Sequence, residues 1–185
     1  MKQIAQLIAD QPKDQRPEFE GALSTAFGCS IEGEIADSIL LDLAERLIEA
    51  GVDELGLSDT VGYANPLQVK QLIRKTREVA GADKVKSVHL HNTYGLGLAN
   101  AFAAYEEGIE VFDSSQGGLG GCPASPGASG NIVTEDLVYM FEAMGVDTGI
   151  DLEALMMCRK ILAQGLPGEP IYGMTPNAGL PKTYG

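Results

Sequence analysis

Residues 85–113 read VKSVHLHNTYGLGLANAFAAYEEGIEVFD, and this stretch decides the architecture. Val85 to His91 is a strand, Gly95 to Glu107 a helix closed by Gly108, and Ile109 to Asp113 a second strand. A strand, a helix and a strand in immediate succession form a βα crossover, which joins parallel neighbours. The same cycle extends upstream. Residues 18–26 (EFEGALSTA) form a strand, and residues 35–50 carry Ile35, Ile39, Leu40, Leu43, Ala44, Leu47 and Ile48 at helical spacing, with Gly51 at the expected cap. Residues 53–58 form a short strand. Asn65-Pro66 then pairs an N-cap with a proline at the first helical position, opening a helix that runs to Gly81. Downstream, a glycine-rich loop leads to Asn131, Thr134 caps a helix to Met144 closed by Gly145, and Asp151 caps a last helix to Ala163. Strands starting near residues 18, 53, 85 and 109 are 35, 32 and 24 residues apart, the lengths of βα units in a parallel sheet with helices packed outside it. A closed eight-stranded barrel needs about 250 residues. Four strands therefore make either a small open α/β domain or half a barrel. Residues 1–164 form the folded unit, and residues 165–185, with five Gly and four Pro, read as a surface tail without regular structure.

Composition narrows the function classes. The 185 residues are 44% hydrophobic and 21% charged, an ordinary globular balance with enough chain for one core. A net charge of −13 repels nucleic acid and anionic membrane surfaces alike. No apolar run reaches eighteen residues, and Met1 opens an amphipathic pattern (Ile4, Leu7, Ile8) rather than a signal peptide. Cys29, Cys122 and Cys158 are odd in number and widely spaced, which fits reduced thiols in a cytoplasmic protein.

The chain has two histidines, His89 and His91, placed two apart on one strand. Alternate residues of a strand share a face, so both rings point one way at the C-terminal end, where parallel α/β folds keep their chemistry. Either two polar rings happen to cap a strand or they ligate a metal, and their scarcity favours the metal. Imidazoles with oxygen donors suit Mg²⁺, Mn²⁺, Zn²⁺ or Fe²⁺. Six of the sixteen residues 116–131 are glycine, fitting a lid, a phosphate cradle or a flexible connection, although the Gly-Lys-Ser/Thr ending of a P-loop is missing. Cys122, between Gly121 and Pro123, is exposed for a residue that usually hides in cores, which points to a functional thiol. Cys29 and Cys158 read as packing residues. Asp59, just past a strand, has three evenly matched roles: a base, an outer partner of a metal, or a cap on its own loop. Asn131 could cap the following helix or offer an oxygen to a metal, and taken alone capping is the stronger reading.

Taken together, His89-Leu90-His91-Asn92-Thr93-Tyr94-Gly95, Ala99-Asn100, Gly117-Gly118-Leu119-Gly120-Gly121-Cys122-Pro123, Gly127-Ala128-Ser129-Gly130-Asn131 and Thr134-Glu135-Asp136 resemble the C-terminal half of the 3-hydroxy-3-methylglutaryl-CoA lyase family. Ser58-Asp59-Thr60 and Ala26-Phe27-Gly28-Cys29 match as well, so the resemblance covers about residues 1–165. The related isopropylmalate and homocitrate synthases share an HxHN-type strand but lack the cysteine loop. The resemblance implies a TIM barrel binding Mg²⁺ or Mn²⁺, with His89, His91 and Asn131 as metal ligands, Asp59 in the catalytic centre and Cys122 as an acid/base thiol on a lid. It implies cleavage of 3-hydroxy-3-methylglutaryl-CoA to acetyl-CoA and acetoacetate, with citramalyl-CoA or another short 3-hydroxyacyl-CoA as an alternative substrate. Asn92 departs from the Asp usual in the lyases, which bears on substrate preference. The first four βα units, which supply further ligands in the family, have no counterpart here. The chain thus reads as half of a barrel, with an apolar inner face and two unpaired edges that a second copy would cover, or as a catalytically silent half that awaits a partner.

Overall fold

The computed structural model describes residues 1–121 and 127–184. Helix α1 (Lys2–Ala9) precedes β1 (Glu20–Leu23), and the alternation continues as α2 (Asp37–Glu49), β2 (Glu54–Asp59), α3 (Pro66–Ala80), β3 (Val85–Leu90), α4 (Gly97–Glu106) and β4 (Val111–Asp113). Helices α5 (Thr134–Ala143), α6 (Leu152–Gly165) and α7 (Met174–Ala178) follow. The four strands make one parallel sheet in the order β1-β2-β3-β4, as βα repeats require. Among the described residues, β1 and β4 each pair on one side only.

The two faces of the sheet differ. Leu23, Leu55, Leu57, Val88 and Leu90 are buried against Leu40 and Ala44 of α2, Val69 and Ile73 of α3, and Ala101 and Ala104 of α4. The intervening residues Glu20, Ala22, Ser24, Gly56, Ser58, Thr60, Ser87, His89 and Asp113 line an open cavity of about 300 Å³. The expected apolar inner face is therefore incorrect: the bulky hydrophobic residues of β1, β2 and β3 lie on the helix side, and the concave side is largely polar, with Ala22 and, beside Ser87, Val111 as its apolar members. A shift in register between β2 and β3 at Leu55/Gly56 returns Ser87 and His89 to the inner face. Gly56 leaves the space through which the Glu20 carboxylate accepts a hydrogen bond from the Ser87 hydroxyl, and a side chain there would collide with both.

Local side-chain caps set the starts of α3 and α6. The Asn65 side chain accepts from the backbone N–H groups of Leu67 and Gln68, while Gln68 returns a bond to the Asn65 N–H, a complete capping box ahead of Pro66. Asp151 accepts from the Ala154 N–H at 2.9 Å, so it caps α6 as expected. Thr134 does not cap α5. Val133 takes that position, and the Thr134 hydroxyl pairs with Ser114 at 2.9 Å instead. Strand β1 stops at Leu23, short of residue 26, because the chain turns there: the Thr25 N–H binds the Thr60 hydroxyl, and the Ala26 N–H binds the Ser58 carbonyl.

The tail is also ordered more than its composition suggests. Helix α6 runs to Gly165, and α7 packs on α5 with Thr175 buried. The Asp136 carboxylate accepts the N–H groups of Met174 (2.9 Å) and Thr175 (2.7 Å) at the start of α7. This helix is therefore capped from 38 residues away, beyond the reach of any local reading. No helix among the described residues is long and apolar enough to cross a membrane.

Candidate metal and catalytic site

The β3–β4 register sets His89 beside Asp113 on the inner face, and the Asp113 carboxylate lies 3.3 Å from His89 Nδ1. That contact orients the ring and turns Nε2 away from the carboxylate. His91, one residue past the strand, is nearly buried, and its Nε2 stands 3.1 Å from Nε2 of His89. Burial, and next the charge on His89, hold the His91 imidazole below its ordinary pKa, which favours the neutral ring that a cation needs. Two ligands about 2.1 Å from a metal on adjacent corners of an octahedron stand about 3.0 Å apart, so the separation suits one cation bound to both rings.

The segment carrying Asn131 is laid alongside His91. The Ile132 N–H donates to the Leu90 carbonyl, the Asn92 N–H donates to the Gly130 carbonyl, and His91 and Asn131 form an antiparallel bridge. The Asn131 amide NH₂ donates to the Leu119 carbonyl at 2.7 Å, while its Oδ1 is buried without a hydrogen-bond partner among the described residues. Capping, the stronger reading of Asn131 from sequence, does not occur. Buried amide oxygens are normally satisfied, so this one has spare capacity for a ligand. Among the described residues no three His, Cys, Asp or Glu side chains converge as a complete metal cage. What is present is two imidazoles and one amide oxygen, a partial set that fits a hard divalent cation completed by other donors.

Asp59 ends β2 on the helix-facing side, in step with Leu55 and Leu57, and is fully buried. Its carboxylate accepts the N–H groups of Tyr63 (2.8 Å) and Ala64 (3.1 Å), so it caps its own loop, one of the three roles left open. Burial pushes its carboxyl up to about 6, against the backbone bonds from Ala64, Tyr63 and Gly62 and the charge of His89, which pull it down. Cys122 lies outside the described residues. On the stem of its loop, a side chain at Gly120 would come within 2.7 Å of the Asn131 amide nitrogen, so glycine permits that approach. Cys29 is half-buried and Cys158 exposed, both as free thiols. The Asn92 side chain accepts the Gly97 N–H at 3.0 Å at the entry to α4, a bond that Asp could also accept.

Sequence reasoning missed three participants. Asp113 had a strand-end position like that of Asp59 and was therefore available to notice. Glu135 is fully buried and paired with Arg159 at 2.9 Å, yet in sequence it is one of two acids in the first turn of a helix, an ordinary place for charge. Arg159 carried no signal at all.

Comparison with known proteins bears on the family and the fold. The HMGL-like family model matches residues 1–162. The chain is 44% identical over 149 residues to the hydroxymethylglutaryl-CoA lyase YngG of Bacillus subtilis, covering 80% of this chain and 49% of that protein. It is 43% identical over 161 residues to the (R)-citramalyl-CoA lyase of Chloroflexus aurantiacus, covering 87% and 50%. Among solved structures, an HMG-CoA lyase from Acinetobacter baumannii in complex with coenzyme A and 3-methylmalate superposes with a TM-score of 0.86 at 40% identity, covering 98% of this chain and 57% of that one. The chain spans about half the length of the curated relatives it matches, so its four strands correspond to half of a lyase barrel. With relatives that are lyases and a family match over nearly its whole length, the chain belongs to the HMGL-like family.

Proposed function

We propose that this chain supplies the metal-binding half of a carbon–carbon lyase that cleaves 3-hydroxy-3-methylglutaryl-CoA to acetyl-CoA and acetoacetate. The convergence of His89 and His91 on one point, 3.1 Å apart, carries the reading. A bound Mg²⁺ or Mn²⁺ would place positive charge at the substrate's C3 hydroxyl oxygen, where negative charge develops. His89, His91 and Asn131 hold the cation, and Asp113 orients His89. Asp59 ends the neighbouring strand behind the sheet, and the charge of His89 reaches its buried carboxyl, which supports a place for it at this centre from behind the metal ligands. Loss of the C3 hydroxyl proton to a base of the assembled site forms the ketone of acetoacetate as the C2–C3 bond breaks. The electron pair passes to C2 as the thioester enolate, and Cys122 on its loop is the acid that delivers a proton to C2. The free thiols of Cys29 and Cys158 support a reducing, cytoplasmic setting.

A second substrate has specific support, because the citramalyl-CoA lyase matches as well as the hydroxymethylglutaryl-CoA lyase does. The free edges support an assembly. Beside β4 runs an apolar groove of about 510 Å³ lined by Val111, Phe112, Leu137, Val138, Phe141 and Val146, where a further strand would lie. Since β1 and β4 run in the same direction, a two-fold axis along the strands sets β4 of one copy against β1 of the other, and we assign the groove to a second copy. Sedimentation at micromolar concentration should show a dimer. A compact monomer overturns that assignment, and closure only by added βα units from a longer relative would replace it.

The functional reading is tested with Mn²⁺ and both thioesters, measuring acetyl-CoA release together with free Mn²⁺ by electron paramagnetic resonance. Binding that weakens at least about a hundredfold in His89→Ala, with acetyl-CoA release lost in Cys122→Ala, is the expected result. Mn²⁺ binding that both histidine variants leave unchanged removes the reading. Metal binding without turnover of either thioester identifies a silent half-barrel.

A further inference from the structure

The C-terminal strap is tied to the loop that delivers Asn131, and the knot is Arg159. From α6, Nη1 of Arg159 donates to the Glu135 carboxylate (2.9 Å) and to the Tyr172 carbonyl (2.7 Å), while Nη2 donates to the Ile171 carbonyl (3.1 Å). The other oxygen of Glu135 accepts the Gly117 N–H at 3.1 Å, and the Tyr172 N–H donates to the Gly117 carbonyl at 2.8 Å. One guanidinium thus holds both the strap and the carboxylate that holds Gly117. Gly117 is fitted to this contact: its φ is +68°, and a side chain there would strike Ile171.

The turn held in this way reaches Asn131 directly. Two residues after Gly117, the Leu119 carbonyl accepts the Asn131 NH₂ at 2.7 Å and faces its backbone N–H at 3.4 Å. An amide group that meets a carbonyl must present nitrogen, because only nitrogen donates. The position of Leu119 therefore decides which end of the Asn131 side chain is spent and leaves Oδ1 available.

We infer that Arg159 is a positioning residue for Asn131: by clamping the 171–172 strap and Glu135 onto Gly117, it fixes the turn that commits the Asn131 nitrogen and frees its oxygen for the cation. This rests on the metal reading proposed above. Arginine is required because three acceptors lie in different directions around one planar group, and a lysine ammonium at the same place spans fewer of them. The strap contributes main-chain carbonyls only, so side-chain identity at 171 and 172 matters little to the clamp.

The test compares Arg159→Met, Arg159→Lys and Asp136→Asn by amide hydrogen exchange and Mn²⁺ affinity. Arg159→Met should speed exchange at Gly117, Tyr172 and Asn131 by at least about tenfold, with Leu57 and Val88 unaffected, and should weaken Mn²⁺ binding by a similar factor. Arg159→Lys should recover part of both effects, and it carries the comparison if Arg159→Met fails to fold. Asp136→Asn keeps one acceptor oxygen and should free one of the Met174 and Thr175 N–H groups without moving Asn131, which separates the clamp from general loosening of the tail. Tyr172 released while Asn131 exchange and Mn²⁺ affinity stay at wild-type values overturns the inference. Wild-type protein that binds no Mn²⁺ overturns the metal reading instead, and Asn131 exchange then still judges the clamp.

Discussion

Two loops at the same end of the sheet are held in opposite ways. The loop after β2 is fixed from within: Asp59 accepts the N–H groups of residues four and five positions on, and Asn65 closes it with a capping box. The loop after β4 is fixed from outside, by Glu135 and Arg159 on two later helices and by the strap at 171–172. Locally held loops survive changes elsewhere in the chain, whereas a loop held at a distance is only as ordered as the elements that hold it. The candidate metal site draws on the second kind for Asn131, so this part of the site depends on the C-terminal segment being in place.

The contrast can be broken most forcefully at Glu135. Glu135→Ala removes one half of a buried ion pair and the acceptor of the Gly117 N–H, and should cost about 3 kcal/mol in urea unfolding. A loss below about 1 kcal/mol would mean that the second loop holds itself. Next in size is the pH response of the first loop. The Asp59 carboxyl is raised from 3.8 to about 6 in the folded chain, so the folded state keeps this proton longer than the unfolded state does. Its contribution is most favourable below pH 4 and is lost as pH rises through 6, a change of about 3 kcal/mol at most. Measured as the difference from Asp59→Asn, wild-type stability should fall between pH 4 and pH 7, and a flat difference shows that the carboxyl is not perturbed. Smallest is Asn65→Ala, which removes the capping box and should lower stability by about 1 kcal/mol while leaving exchange at Gly117 and Asn131 unchanged. Faster exchange at Asn131 in that variant would show that the two loops are coupled.

The division between the loops also marks what could be read from sequence. The βα order, the parallel sheet, the Asn65 and Asp151 caps, and the pairing of His89 with His91 all follow from residues within a few positions of one another, and all appear in the structure. Failures came where a partner lay far along the chain. Thr134 has the residue type and position of a cap, but Ser114 takes its hydroxyl. The tail has the glycine and proline content of an irregular segment, yet Asp136 starts a helix in it. Arg159 is one of two adjacent cations on an amphipathic helix until the fold places Glu135 beside it. The polarity of the inner face was present in Glu20, Ser24, Ser58, Thr60 and Ser87, but the register shift between β2 and β3 breaks the simple alternation that would have shown it.

A sheet whose bulky greasy residues lie beneath its helices, Val111 at one margin apart, leaves little that is oily on its hollow side. Fusing two such halves would gain little from expelling water across the hollow itself. The seam would instead be held by main-chain hydrogen bonds at the strand margins and by the groove beside β4. Such a joint has a weak heat-capacity signature for the surface it covers, and it separates and re-forms without either half having to hide a bare core.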